Sequence, residues 1–308
     1  MSRRNVLSGG ASRLLAAGAV AAWLCGLGSC VTARAQQPTE GSAAALQAKR
    51  SELQPQLRAN SFGEPLVLIS RELPDRLEGD VYADVAHPFA AVGETFRTAT
   101  GICELLFMHL NVRSCTPSSG ADGERVTLVA GPKRSTVPGM QDSISYGMRT
   151  VVADATHLRV TLSAAQGPLS TRDYRMVFEV VPIDGGHSFV HFGYSYGYGM
   201  LARMAMGSYL ATAGRSKIGF TVEGKEADGR PKYVRGVRAA VERNVMRYYL
   251  ALVARFSVTT GSPDEQSQAR LRAWFALTER YAAQLHEYDV DEYLQEKRRD
   301  LVRSGPGT

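Results

Sequence analysis

Several motifs that mark common cofactor sites are absent from this sequence of 308 residues. It contains no H-E-x-x-H zinc motif, no C-x-x-C pair, no phosphate-binding P-loop and no glycine-rich dinucleotide fingerprint. Internal repeats and low-complexity tracts are absent too. Each missing motif would supply ligands for a metal or backbone amides for a nucleotide. The sequence therefore predicts neither a metal site nor a bound cofactor.

The chain also carries little net charge outside its N-terminal segment. The chain carries a formal net charge of +6, but residues 1–35 contain four arginines and no acidic residue. Removing these four from the 36 basic residues leaves 32, against 30 acidic ones. Nucleic-acid-binding proteins carry a concentrated basic surface. The sequence therefore predicts no nucleic acid partner.

Residues 1–35 are typical of an export signal. Residues 2–7 resemble a twin-arginine motif, and residues 14–27 form an apolar run. Two cleavage sites compete: one after Ala35, where Ala-Arg-Ala fits the small-x-small rule, and one before Cys30, in a Leu-Gly-Ser-Cys sequence that resembles a bacterial lipobox. We favour cleavage after Ala35. Either site predicts a periplasmic or cell-envelope protein, and the second would anchor it through a lipidated Cys30.

Two cysteines remain outside the predicted signal. Cys103 and Cys115 are twelve positions apart. In an oxidising compartment such a pair is expected to form a disulfide. The alternative, a reactive or metal-binding pair, has no His or Cys neighbours at ligand spacing.

Residues 188–198 carry an unusual alternation, F-V-H-F-G-Y-S-Y-G-Y after Ser188. Successive side chains of a strand point to opposite faces, so one face is aromatic and the other almost bare. The aromatic face consists of Val190, Phe192, Tyr194, Tyr196 and Tyr198. Ring surface with phenol tips suits a mostly apolar cavity, and the alternative is plain core packing.

The same residues contain G-Y-S-Y-G, a match to the nucleophile elbow of serine hydrolases with Ser195 as nucleophile. That elbow needs a parallel sheet with helical crossovers. Here residues 182–186 form a short turn-rich loop after the preceding strand, which predicts an antiparallel hairpin. Only His286 lies downstream as a triad histidine. The hydrolase is therefore the weaker alternative.

The remaining pattern predicts strands followed by helices. Strands alternating one apolar and one polar face are expected from residue 66 to residue 198, interrupted by two short helices within residues 88–110. One further strand is expected at 218–222. Apolar residues at spacings of 3 and 4 predict a long helix over 237–256, with charged residues on its solvent side. Two more helices follow, and we expect Lys297 to lie in a solvated basic helix end.

This order of elements resembles the START-related helix-grip superfamily, which includes polyketide cyclase-like, coenzyme Q-binding and lipid-transfer domains. The resemblance rests on residues 77–85, 88–110, 188–198 and 237–256, and it covers residues 64–258. It implies an α+β fold in which a curved antiparallel sheet wraps around a long C-terminal helix. Residues 36–63 would be a linker with a short helix, and residues 259–308 an extra helical extension.

The resemblance also implies a hydrophobic cavity between the sheet and the long helix. Its ligand would be a lipid, sterol, isoprenoid or polyketide-like molecule, carried by an exported binding protein. The extension 259–308 would contact a membrane or an envelope protein transiently. The positions that match the cavity lining are aromatic or apolar: Tyr146, Tyr174, Met176, Phe178, Phe192, Tyr194, Tyr196, Tyr198, Tyr248, Tyr249 and Leu252.

Two other functions stay open at this point. The superfamily contains cavity enzymes, and His191, His109 or Glu104 could serve as the acid–base group of a cyclase-like reaction. Alternatively, the protein has a structural role in the envelope. That role would require a filled core and an exposed apolar patch on the C-terminal helices.

Overall fold

The computed structural model describes residues 39, 41–131, 142–212 and 214–304. All of them belong to one compact unit, Pro38–Thr308. The predicted signal segment 1–35 lies outside the described residues. Within the described ranges, no helix combines the length and the apolar character that a membrane crossing needs.

Eight strands form one antiparallel sheet. They are β1 (Leu66–Glu72), β2 (Arg76–Val85), β3 (Val112–Gly120), β4 (Gly123–Ala130), β5 (Asp142–Ala153), β6 (Leu158–Gln166), β7 (Thr171–Pro182) and β8 (Ser188–Tyr198). Their order in the sheet is β1-β2-β8-β7-β6-β5-β4-β3. The hairpin predicted between β7 and β8 is present, with Phe178 opposite Phe192. A separate two-stranded sheet pairs β9 (Val222–Lys225) with β10 (Pro231–Tyr233), so the strand expected at 218–222 was misplaced.

Eight helices accompany the sheets in the described residues. They are α1 (Ala43–Arg58), α2 (Phe89–Arg97), α3 (Ala99–Met108), α4 (Met200–Ala211), α5 (Gly236–Ser257), α6 (Pro263–Glu279), α7 (Ala282–Leu285) and α8 (Val290–Ser304). A short 3-10 turn, Pro168–Ser170, precedes β7. The disulfide between Cys103 and Cys115 joins α3 to β3.

The long helix α5 lies against the inner face of the sheet, the face that carries Phe192 and the tyrosines of β8. Gly79 of β2 allows this close approach. A Cβ atom at Gly79 would lie 3.0 Å from a methyl group of Val245 and 3.2 Å from one of Val241. Helices α2 and α3 pack on the same face, so the sheet grips α5 as the resemblance implied.

The opposite, outer face of the sheet is covered by α1. Leu46, Leu53 and Leu57 recur on one side of this helix and pack with Val181 and Phe189 of the sheet. Their spacing of seven and four positions places them on one helical stripe. The sheet is therefore buried on both faces over part of its area.

The charged residues of α5 are a correction to the sequence-based expectation. Glu242, Arg243 and Arg247 are 0, 4 and 2 % exposed, so they do not form a solvent face. Glu242 accepts hydrogen bonds from the backbone amides of Phe220 and Thr221 at 2.6 and 2.9 Å. Loop residues and α6 enclose this side of α5: Arg247 donates to the carbonyl of Leu285, and the indole of Trp274 on α6 donates to the backbone carbonyl of Arg247.

Lys297 is a second correction. Its side chain is buried, and Nζ donates to the backbone carbonyls of Phe107, His109 and Val112 at 2.5, 2.8 and 2.7 Å. These carbonyls lie where α3 ends and β3 begins. The basic residue predicted at a solvated helix end instead fixes α8 to the domain, because helix C-termini leave carbonyls that need donors.

Candidate functional site

A cavity of about 1110 Å³ lies between the inner face of the sheet, α4 and α5. Its apolar wall comes from β2, β5, β7 and β8, whose alternation directs every second side chain inward. The wall residues are Leu77, Ile144, Tyr174, Tyr194, Tyr196 and Tyr198. A mostly apolar, concave surface of this size can hold a small organic molecule.

The tyrosines of the wall are arranged as a continuous ring surface. Tyr174 stacks on Tyr196 with centroids 5.3 Å apart and an interplanar angle of 13°, and Tyr194 lies 5.6 Å from Tyr196. The hydroxyl of Tyr174 donates to Thr171 Oγ1 at 2.8 Å. Burial raises the pKa of Tyr194 and Tyr196 above the usual range. These phenols therefore remain neutral hydrogen-bonding groups at the pH of any cellular compartment.

One side of the cavity is closed by α4. Ala202 and Met206 line the cavity, whereas Met200 and Met204 on the same helix are exposed. The guanidinium of Arg203 lies 5.3 Å from the centroid of the Tyr198 ring, so it covers the end of the tyrosine wall. This helix therefore has a cavity face and a solvent face.

The other end of the cavity is charged. Lys217, Arg243 and Arg247 line it together with Glu287, and the cavity lining also includes Glu72, Asp142 and Glu292. Arg247 donates to Glu287 Oε1 at 2.7 Å and to the carbonyl of Leu285 at 3.2 Å. The cavity thus joins an aromatic wall to a polar end that is rich in cations.

The predicted lining residues divide into two groups. Tyr174, Tyr194, Tyr196 and Tyr198 line the large cavity. A second group surrounds a separate space of about 10 Å³, which can hold at most one water molecule. Its residues among those predicted are Phe178, Phe192, Tyr248, Tyr249 and Leu252.

Tyr146 and Met176 belong to neither lining. Both are 1 % exposed and packed in the main core. Tyr146 meets Tyr174 edge to face, with ring centroids 6.2 Å apart. It therefore supports a wall residue from behind.

Two of the four candidate catalytic residues lie around α3 and α5. His109 is buried against Tyr248, with ring centroids 4.8 Å apart, and its Nδ1 accepts from the Asn111 amide at 3.1 Å. Burial, together with nearby Arg247, lowers the pKa of His109 well below its ordinary value, so the ring is neutral. Glu104 pairs with two arginines, Arg255 at 3.1 Å and Arg270 at 3.2 Å.

The other two candidates, His191 and Ser195, project from the outer side of β8, opposite the tyrosines. Ser195 Oγ lies 3.1 Å from Arg76 and sits within a continuous antiparallel strand, so no strand–turn–helix elbow forms around it. None of the four candidate side chains lines the large cavity in the part of the chain that the structure describes.

His191 belongs to a charged cluster on the outer face of the sheet. Its Nε2 lies 2.8 Å from Asp80 and its Nδ1 lies 3.5 Å from Glu179, which is also held by His157 at 2.8 Å and Arg159 at 2.5 Å. Burial opposes the charge of His191, but the two carboxylates outweigh it and raise its pKa overall. The cluster is an ion network. No group of three or more residues suited to metal binding occurs in the described ranges.

Several cavity residues were not predicted from the sequence. The alternation of β2 indicated that Leu77 points inward, and the same rule applies to Ile144 in β5. The cavity face of α4 and the cationic end had no such signal. A buried arginine and a solvated one look alike in a helical pattern.

Comparisons with known proteins give fold-level likenesses. No family model and no curated protein matches the sequence. One similar solved structure is a START superfamily protein from Mycobacterium smegmatis, with 11 % identity, coverage of 48 % of this chain and 92 % of the other, and a TM-score of 0.28. Human StAR-related lipid transfer protein 5 has 10 % identity, coverage of 55 % of this chain and 89 % of its own, and a TM-score of 0.30. The Zhui aromatase/cyclase from Streptomyces sp. R1128 has 13 % identity, coverage of 79 % of this chain and 99 % of its own, and a TM-score of 0.28.

The arrangement of the described elements answers the question of fold class. One antiparallel sheet of eight strands encloses a 22-residue helix, and two short helices separate β2 from β3. This confirms the α+β helix-grip fold expected from the sequence.

Proposed function

We propose that the protein binds and carries a hydrophobic small molecule in the cavity between the sheet and α5. The observation that supports this most directly is the volume of about 1110 Å³ beside a wall of four stacked and tilted tyrosines. A concave space of this size with aromatic walls is typical of small-molecule sites. A filled structural core would have closed the space with side chains, as it does around the second, 10 Å³ space.

The energetics favour an apolar ligand of lipid, sterol, isoprenoid or polyketide type. Burial of apolar surface contributes about 25 cal/mol per Å², so a ligand burying roughly 300 Å² would gain about 7.5 kcal/mol before the entropy of association is subtracted. Tyrosine rings contribute further through stacking, and their hydroxyls can orient a polar substituent. The cavity is therefore suited to a ligand that is mainly apolar with a few polar groups.

The proposed function also includes export of the protein from the cytoplasm. Residues 1–35 direct the chain to the periplasm or cell envelope, where the disulfide of Cys103 and Cys115 would persist. N-terminal sequencing of the protein isolated from a fractionated host would distinguish cleavage after Ala35 from lipidation at Cys30. Retention of the intact N-terminus in the cytoplasm would refute export.

The binding proposal is tested by native mass spectrometry of the purified chain, followed by organic extraction of what it carries. We expect an apolar ligand at one copy per chain. The matched variants are Ala202→Trp, which places an indole into the cavity, and Met204→Trp, which adds the same group to the exposed face of the same helix. The first should lose the ligand and the second should retain it.

Two outcomes would count against the carrier function. A wild-type protein that is purified without a ligand and binds none of a panel of lipids would favour a structural role in the envelope. Equal ligand retention by both tryptophan variants would place the ligand elsewhere on the protein. Circular dichroism of each variant separates loss of binding from loss of folding.

A further inference from the structure

The face that α5 presents to the cavity changes character along its length. Val237 and Ala240 line the cavity first, followed by Arg243, Asn244 and Arg247. These positions recur at spacings of one, three and four residues on one side of the helix and, at 1.5 Å per residue, span about 15 Å. One axis of the cavity therefore runs from an apolar end to a cationic end.

Lys217 completes the cationic end from a neighbouring loop. Its Nζ donates to the carbonyl of His286 at 3.2 Å and lies 3.9 Å from Glu287 Oε1. An ammonium group has three protons to donate, and the side chain is 25 % exposed where it lines the cavity. Lys217 can therefore donate to a molecule in the cavity without leaving its present partners.

The electrostatics of this end favour an anion. Three cationic side chains, Lys217, Arg243 and Arg247, line the cavity with the carboxylates of Glu287 and Glu292, and Glu287 already accepts the guanidinium of Arg247 at 2.7 Å. Burial lowers the pKa of Lys217; Glu287 opposes this, while Arg243 and Arg247 lower it further. A negative group beside Lys217 would relieve the repulsion among the cations, in surroundings where charges are weakly screened.

We propose that the ligand of this cavity is an anionic amphiphile, whose carboxylate or phosphate binds at Lys217 and Arg243 while its apolar part lies along the tyrosine wall. This inference rests on the proposed carrier function and specifies the ligand class. An acidic group is preferred to a neutral one because charge-assisted hydrogen bonds are about twice as strong as neutral ones.

The test compares probes that share one chain and differ in head group: dodecanoate, dodecyl phosphate and dodecan-1-ol. Their binding to the full-length chain is measured by isothermal titration calorimetry below the micelle-forming concentration. We expect the better of the two acids to bind roughly tenfold more tightly than the alcohol, the ratio that a single charge-assisted hydrogen bond can supply. The stronger acid identifies the head-group chemistry.

Lys217→Gln is the diagnostic variant and Lys232→Gln its control, because Lys232 is exposed on β10 and lies outside the cavity lining. Lys217→Gln should weaken acid binding roughly tenfold and leave alcohol binding unchanged. A thermal melt establishes that both variants fold, and the acid-to-alcohol ratio of the wild type provides a test that needs no variant.

Each result has a separate meaning for the two proposals. Equal binding of acid and alcohol by the wild type, or an equal loss of both in Lys217→Gln, would overturn the anionic ligand and leave the carrier function in place. Absence of binding for all three probes, together with an empty purified protein, would overturn the carrier function itself and the ligand class with it. A selective loss of acid binding supports both.

Discussion

Replacing Lys297 with methionine tests whether the C-terminal helix is fixed to the domain by a buried amino group. Methionine keeps much of the apolar stem of lysine but removes the donors to Phe107, His109 and Val112. A buried polar group left without a partner costs about 1–3 kcal/mol. Relief from burying a charge offsets part of this loss. We expect the variant to lose about 3 kcal/mol of unfolding free energy.

The pH dependence of this loss follows from the protonation of Lys297. Burial lowers its pKa from 10.5 to about 7; Asp300 opposes the shift, and Arg113 adds to it. Between pH 7 and pH 9 the unfolded chain keeps a proton that the folded chain releases, so the wild type gains stability, by about 2 kcal/mol. The variant lacks this group, and its deficit is therefore larger at pH 9 than at pH 6.

Urea unfolding followed by circular dichroism at pH 6, 7 and 9 measures both effects. Arg298→Met is the control, because Arg298 is the exposed neighbour of Lys297 on α8. Surface substitutions usually change stability by less than about 0.5 kcal/mol. A Lys297→Met variant as stable as Arg298→Met would refute the anchoring role. A deficit that shrinks as the pH rises would refute the protonation argument.

Two further predictions concern the two faces of the sheet. Gly79→Ala should destabilise the fold by about 1–3 kcal/mol, because the new Cβ would lie 3.0 Å from a methyl group of Val245 on α5. Gly120→Ala is the control, because no atom lies within 4 Å of a Cβ at that position. Equal urea midpoints for the two variants would contradict the close packing at Gly79. On the outer face, Asp80 and Glu179 raise the pKa of His191 above 6.5 despite its burial. The stabilisation from the charged ring is therefore fully present below about pH 6.5 and is lost as the pH rises through the pKa that His191 has in the folded protein. The stability gap between wild type and His191→Gln should therefore narrow with increasing pH, and a gap that widens would show that the ring is not protonated in the fold.

The sequence carried enough information for the sheet and the long helix. Alternation of apolar and polar residues locates β5 to β8, and the Val237–Val241–Val245 stripe locates α5. Both signals depend on local geometry, because a strand repeats every two residues and a helix every 3.6. The hairpin of β7 and β8 followed from a loop too short for a crossover.

The buried charges could not be predicted in the same way. Arg247 and Lys297 occupy positions that a helical pattern assigns to solvent, yet both are buried under neighbouring elements. Their burial depends on which carbonyls and carboxylates the folded chain brings near them. A sequence period identifies the face of a helix but not what covers that face. The charged end of the cavity could not be predicted for the same reason.

The contrast between the two halves of the inner face explains why one part of the sheet–helix interface is closed and the other open. At Gly79 the absence of a side chain lets Val241 and Val245 of α5 approach β2, and the interface there is filled. Ala240, one residue before Val241, lies on an adjacent side of α5 and lines the cavity with Val237 and Arg243. The close approach at Gly79 and the cavity therefore occupy neighbouring sides of the same stretch of helix, and the side that does not face Gly79 is the open one. A ligand supplies the contacts that the chain leaves unmade on the cavity side.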